Sequence, residues 1–289
     1  MSDAGTGRDG TAWDARLSEP GSPECTPDWL ALREPADAAA RASRLVDQLL
    51  PHLPPGRLVV RDLGCGSGSM GRWLAGRLPG EQQHWVLHDR DPGLLEIAAA
   101  GLPPGVTAET SAGDVTDLDA AALAGTSLVT ASALLDLLTA EELAGLAAAC
   151  AQAGCAALLT LSVVGSVSFT PADLLDEAFA AAFDAHQRRT VAGRRLLGPD
   201  APAAAVTEFR RHGAQVATAS SPWRLGPGEA ALAEEWLRGW ISAACEERPE
   251  LAAEAGAYLG RRLAAAAVGE LHVVVGHADL LALPSGGTA

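Results

Sequence analysis

The chain has 289 residues, 48% hydrophobic, 20% charged and only 4% aromatic, which is enough to bury a sizeable core and argues against extensive disorder. Its 21 basic residues, all arginine, face 36 acidic ones, for a formal net charge of −15. That balance counts against a large nucleic-acid surface, because phosphate binding needs clustered cations.

No apolar run approaches the roughly 20 residues that span a bilayer, and the polar first ten residues carry no apolar signal core. The expectation is a cytoplasmic protein without a membrane partner. The five cysteines, at 25, 65, 150, 155 and 245, show no CxxC or Cys/His spacing, so neither a disulfide framework nor a metal site is expected.

Residues 1–28 are rich in Gly, Ser, Pro and Asp and read as a loose leader. From Trp29 to Leu50 the pattern is helical, with Leu45, Val46, Leu49 and Leu50 as its apolar stripe, and Pro51, Pro54 and Pro55 stop it. Strands and helices then alternate. Strands are expected at 58–62, 84–89, 106–111, 127–131 and 156–164. Between the fourth and fifth of them, Thr139 and Glu142 are spaced as a capping box. Thr170-Pro171 reads as the start of the next helix, along which Leu175, Phe179, Phe183, His186 and Gln187 form an inward stripe. A helix near 201–212, a strand at 215–219, helices at 229–247 and 250–265 and a last strand at 271–277 complete the chain. Such alternation predicts an α/β fold, a doubly wound and mostly parallel seven-stranded sheet with helices on both faces.

The first strand runs into Asp62-Leu-Gly64-Cys65-Gly66-Ser-Gly68 and then a helix. Glycines let the chain take positive φ and let a ligand approach bare backbone, and the helix start points unpaired amides at the same place. Residues 66–71 also satisfy GxGxxG, so a nicotinamide dinucleotide is one reading of the turn. Asp89, at the end of the second strand, suits a ribose in either case. Asp89 and Asp114 also have a structural reading, as turn or helix-cap residues.

With Asp62 before the glycines and Gly113-Asp114-Val115 after the third strand, the sequence resembles the class I S-adenosylmethionine-dependent methyltransferases over residues 56–165. The resemblance implies S-adenosyl-L-methionine as cofactor and an antiparallel last strand. The acidic charge, the appended helices and the absence of an RNA-binding module point to a small-molecule methyl acceptor. Asp62 would lie near the methionine portion or brace the glycine loop, and Gly64, Cys65, Gly66 and Gly68 would form that loop. Asp89 would hold the ribose hydroxyls, and Asp114 and Val115 would meet the adenine, with Arg90 and Thr130 as further cofactor candidates. Residues 29–55 would form a helical cap, 56–289 the methyltransferase domain, and about 228–267 a helical insertion between the sixth and seventh strands.

For chemistry, His186 on the inward stripe is the candidate base, against the plainer reading of a helix-end histidine. Asp136, Arg188 and Arg189 are candidates for holding the acceptor, and Arg194 and Arg195 for clamping an anion, against a solvated basic segment. Arg33 is a candidate for the cofactor's carboxylate. The strand-four exit, Thr130-Ala-Ser-Ala-Leu-Leu-Asp136, lacks the Asn/Asp-Pro-Pro-aromatic signature of amide and exocyclic-amine methyltransferases. Transfer to an oxygen or nitrogen of a metabolite is the expected activity. A cofactor-binding protein without transfer, or a nicotinamide-dependent oxidoreductase, are its rivals.

Overall fold

The computed structural model describes residues 26–79 and 82–285, so most of the expected leader lies outside the described residues. Helix α1 (Pro27–Ala40) starts at Thr26, whose hydroxyl accepts from the Trp29 amide at 3.3 Å. Helix α2 (Ser43–Leu49) follows at once. The helical pattern of 29–50 is thus broken at Arg41–Ala42. There the Ala42 amide leaves the helix ladder and donates to the Asp279 carboxylate at 2.7 Å.

The sheet begins with β1 (Leu58–Leu63), β2 (Gln83–Asp89), β3 (Thr107–Ala112), β4 (Leu128–Ser132) and β5 (Ala156–Thr170). A separate hairpin joins β6 (Thr190–Val191) to β7 (Arg194–Arg195), and the main sheet resumes with β8 (Gln215–Ser220), β9 (Trp223–Leu225) and β10 (His272–Leu283). Strand order is β3-β2-β1-β4-β5-β10-β8, with β9 an eighth strand paired to β10. Strands β1 to β5 pair in parallel, whereas β10 runs antiparallel to β5, β8 and β9. The doubly wound expectation holds. The order reverses between β1 and β4, which opens a crevice at their carboxyl ends.

Helices α3 (Ser69–Leu74), α4 (Pro92–Ala100), α5 (Ala140–Ala153) and α7 (Ala201–Arg211) cover the sheet, and α6 (Asp176–Gln187), α8 (Ala230–Glu247) and α9 (Ala252–Ala267) form a helical layer beyond it. The capping box of α5 forms as expected, Glu142 N donating to Thr139 Oγ1 at 3.2 Å and Thr139 N to Glu142 Oε2 at 2.8 Å. One core face packs Leu45, Leu49, Met70, Trp73 and Trp85, and the other packs Leu143, Ala147, Cys150 and Phe209. A third cluster gathers Phe169, Phe179, Trp236, Trp240 and Tyr258 between β5 and the helical layer. Among the described residues no helix is long and apolar enough to cross a membrane.

Two local expectations need correction. Thr170 is the last residue of β5, not a helix cap, because β10 pairs with β5 all the way to it (His272 opposite Thr170). The helix starts later, at Asp176, where Leu175 N donates to Asp173 Oδ1 and Asp173 N to Asp176 Oδ2. The arginines at 194 and 195 lie on a hairpin whose two-residue turn, Ala192-Gly193, has φ of 50° and 81°. Two positive φ values match the twist of the strands they join.

Candidate functional site

A cavity of about 320 Å³ opens at the crevice and takes residues from four strand ends and from α1. Eight of the expected cofactor residues line it: Asp62, Gly64, Cys65, Gly66, Asp89, Arg90, Asp114 and Val115. The turn is held in place from β2, with Cys65 N donating to His88 O at 3.0 Å and Gly66 N to Asp89 Oδ2 at 2.8 Å. Gly64 and Gly66 have φ of 58° and 52°, a left-handed conformation that side chains resist. Gly68 (φ 87°) does not line the cavity. A Cβ there would stand 2.9 Å from the Ala98 Cα, so this glycine serves the close packing of the turn on α4.

Asp62 is 1% exposed, and its Oδ1 accepts from Thr130 Oγ1 at 2.7 Å while Oδ2 has no partner. Thr130 is itself fully buried and stands behind Asp62 rather than in the cavity wall. Burial pushes the Asp62 carboxyl up to about 7, with the Thr130 hydroxyl and the Arg41 charge opposing and Asp89 reinforcing the shift. The folded protein then keeps a proton on Asp62 that the unfolded chain has lost above about pH 4. Stability from this group is therefore present below that pH and lost as pH rises through about 7. Relative to Asp62→Asn, the wild type should lose on the order of 4 kcal/mol between those limits, as followed by urea unfolding across pH. A constant difference would place the ionisation elsewhere.

Asp114 Oδ1 accepts from the Thr116 amide at 2.9 Å and its hydroxyl at 2.8 Å, and Oδ2 lies 3.6 Å from Arg90 Nη1. Burial raises this carboxyl, but the Thr116 donors and the Arg90 and Arg194 charges outweigh it and hold it below the usual range. The Cys65 thiol is pushed far up by burial and by Asp62 and Asp89, so it is an inert wall residue.

The remaining expected site residues are not brought into the cavity. His186 is buried where α6 faces α8, its Nε2 lying 3.1 Å from Glu246 Oε2. Arg188 pairs with Asp200 at 2.7 and 2.8 Å, and Arg189 donates to His186 O at 3.1 Å. Asp136 does not line the cavity either; burial pushes its carboxyl up, and the Arg33 and Arg189 charges pull it back. His186→Ala is expected to leave the rate of any transfer within about twofold of wild type while loosening the α6–α8 contact. A large loss in single-turnover rate with unchanged stability would return His186 to the chemistry.

Of the rest of the cavity wall the sequence singles out only Arg33 and Arg194 as binding candidates. Leu30, Arg33 and Asp37 come from α1, Ser132, Ala133, Leu134, Leu137 and Leu138 from the end of β4 and beyond, and Val191, Arg194 and Leu196 from the hairpin region. Arg33 is bidentate with Asp37 (3.0 and 3.3 Å) and lies over the Trp223 ring at 5.0 Å, and Asp37 also accepts from Trp223 Nε1 at 2.9 Å. Arg194 is bidentate with Glu142 (2.7 and 2.6 Å). Both arginines are committed to carboxylates of the wall itself.

Fold and site together define a Rossmann-like protein with a cofactor cradle at the β1–β4 switch point. Residues 60–154 match the family model described as a methyltransferase domain. No curated protein matches by sequence. Similar solved structures include the cyclopropane synthase MmaA2 from Mycobacterium tuberculosis, at 14% identity and a TM-score of 0.47 over 89% of this chain and 94% of that one. A SAM-dependent methyltransferase from Geobacter sulfurreducens in complex with S-adenosyl-L-homocysteine is 17% identical, with a TM-score of 0.43 over 90% and 99%. The precorrin-6y C5,15-methyltransferase from Geobacter metallireducens is 13% identical, with a TM-score of 0.43 over 84% and 87%.

Proposed function

We propose that the chain transfers a methyl group from S-adenosylmethionine to an oxygen or nitrogen of a small molecule in the cytoplasm. The observation that carries the cofactor half is the buried, unpartnered Asp62 Oδ2 beside the positive-φ turn, in one cavity with Asp89 and Asp114. Asp62 and the Gly64–Gly66 backbone would hold the amino-acid end, Asp89 the ribose, and Asp114 with Val115 the adenine. When bound, the cofactor supplies an electrophilic methyl group on a sulfonium.

The chain's own contribution is positioning and exclusion of water. Leu30, Leu134 and Leu137 bring apolar surface to the cavity. Asp37 and Glu142, two further carboxylates of the cavity lining, are each tied to an arginine, which favours an acceptor that arrives as a competent nucleophile. An acceptor without nucleic acid fits the net charge of −15.

Thermal-shift titration tests the cofactor. S-adenosylhomocysteine is expected to raise Tm, and stabilisation by NAD(H) or NADP(H) instead would overturn the reading. Transfer itself is read as label moving from methyl-labelled cofactor into members of an acceptor panel. Cofactor binding with no transfer to any acceptor would favour a binding protein.

A further inference from the structure

Arg41 is 4% exposed at the corner between α1 and α2, outside the segment that matches the methyltransferase model. Its Nη2 donates to Ser69 Oγ and to Ser132 Oγ, both at 3.0 Å, and both serines line the cavity while Arg41 does not. A hydroxyl that accepts from a guanidinium keeps its own proton free to donate elsewhere. Two donors backed by one buried cation therefore stand in the wall of the cavity, on the side where Asp62 faces Arg41.

The balance of partners is unusual for a buried cluster. Arg41 Nε and Nη1 have no hydrogen-bond partner, and neither does Asp62 Oδ2. Buried polar groups are normally satisfied, and a buried charge without partners is costly. The neighbouring Arg33–Asp37 pair is bidentate, by contrast, and spends its capacity within the wall. Burial lowers the Arg41 guanidinium from its ordinary value, and the charges of Asp37, Asp62 and Asp279 oppose that. Its position is imposed from outside the cavity. The guanidinium lies over the Trp73 ring at 5.5 Å, the Arg41 amide donates to Asp37 O at 3.0 Å, and Ala42 N is held by Asp279.

An α-amino acid end presents a carboxylate that wants donors and an ammonium that wants an acceptor. We infer that Arg41 is the positioning residue for the cofactor's α-carboxylate, acting through the Ser69 and Ser132 hydroxyls, while Asp62 faces the α-ammonium. The inference rests on S-adenosylmethionine being the cofactor. It makes the α1–α2 corner, rather than Arg33, the part of the chain that separates the intact cofactor from nucleosides without an amino-acid end.

Isothermal titration of the full chain with S-adenosylhomocysteine and with 5′-deoxy-5′-methylthioadenosine tests it, because the second ligand keeps the adenosine and sulfur but has no amino-acid end. Arg41→Met is expected to weaken S-adenosylhomocysteine on the order of 30-fold, the scale of lost charge-assisted hydrogen bonds, and to leave the nucleoside within about twofold. Ser69→Ala/Ser132→Ala should shift selectivity in the same direction, and this pair carries the test if Arg41→Met does not fold. An equal loss for both ligands, or no loss for either, overturns the role of Arg41 and leaves the cofactor reading standing. If the wild type binds neither ligand, the cofactor reading itself falls, and this inference falls with it.

Discussion

Replacing Asp89 with alanine is expected to weaken S-adenosylhomocysteine binding by about 100-fold or more in isothermal titration. Oδ2 of Asp89 accepts from Gly66 N at 2.8 Å and Oδ1 from Asp91 N at 3.0 Å. One carboxylate therefore ties the glycine turn to the loop that leads into α4, where Asp91 caps the helix through Gly93 N and Leu94 N. Each oxygen keeps a further lone pair for a ligand. Hydrogen bonds to a charged group contribute about 1.5–3 kcal/mol each, and losing the pair also leaves Gly66 N without its acceptor. A hundredfold loss corresponds to roughly 2.7 kcal/mol, so the expected effect needs only part of what the contacts supply. Unchanged affinity would mean that the ribose lies elsewhere.

The largest effect on stability is expected at Asp279, far from the glycine turn in sequence. Its carboxylate is 1% exposed and accepts from Ala42 N at 2.7 Å, Leu161 N at 2.8 Å and Ser221 Oγ at 2.5 Å. Burial raises this carboxyl above its usual range, and the Ala42 amide, the Ser221 hydroxyl, the Leu161 amide and the Arg41 charge pull it back. Asp279→Ala removes the acceptor and leaves two amides and a hydroxyl without partners. Leu161 has φ of 56° within β5, an irregularity that this contact holds. A loss of about 3–5 kcal/mol is expected in urea unfolding, with the midpoint lowered and the slope unchanged. A loss below about 1 kcal/mol would show that water replaces the carboxylate.

The parts of the site that were legible in the sequence are those set by strand ends. Asp62, Gly64, Gly66, Asp89, Asp114 and Val115 lie within a few residues of β1, β2 or β3, so a local motif and the sheet's direction place them together. Thr130 stands one layer behind the cavity wall, and strand alternation gives a face but not which side chain stands in front of another. His186 lies outside the cavity for a related reason. Its helical stripe marks an inward side, yet the interior it meets is the α6–α8 contact rather than the cavity. Arg33 is a cofactor candidate in the sequence and does line the cavity, whereas Asp37 beside it is not one, because its role shows only in its pairing with Arg33 and Trp223. The β6–β7 hairpin has strands of two residues, too short for any periodicity to register. The same shortness hid β9, whose Trp223 braces Asp37.

The contact between Ala42 and Asp279 joins residues near the two ends of the described chain. The cradle is built from the first half of the sequence, and its strand-end carboxylates are in place once β1 to β4 have formed. The α1–α2 corner is different, because its anchor, Asp279 on β10, lies 237 residues further along the chain. A nascent chain can therefore possess every glycine and carboxylate of the cradle while the wall opposite them is still unfastened. Formation of β10, rather than of the glycine motif alone, is what fastens the α1–α2 corner beside the binding chamber.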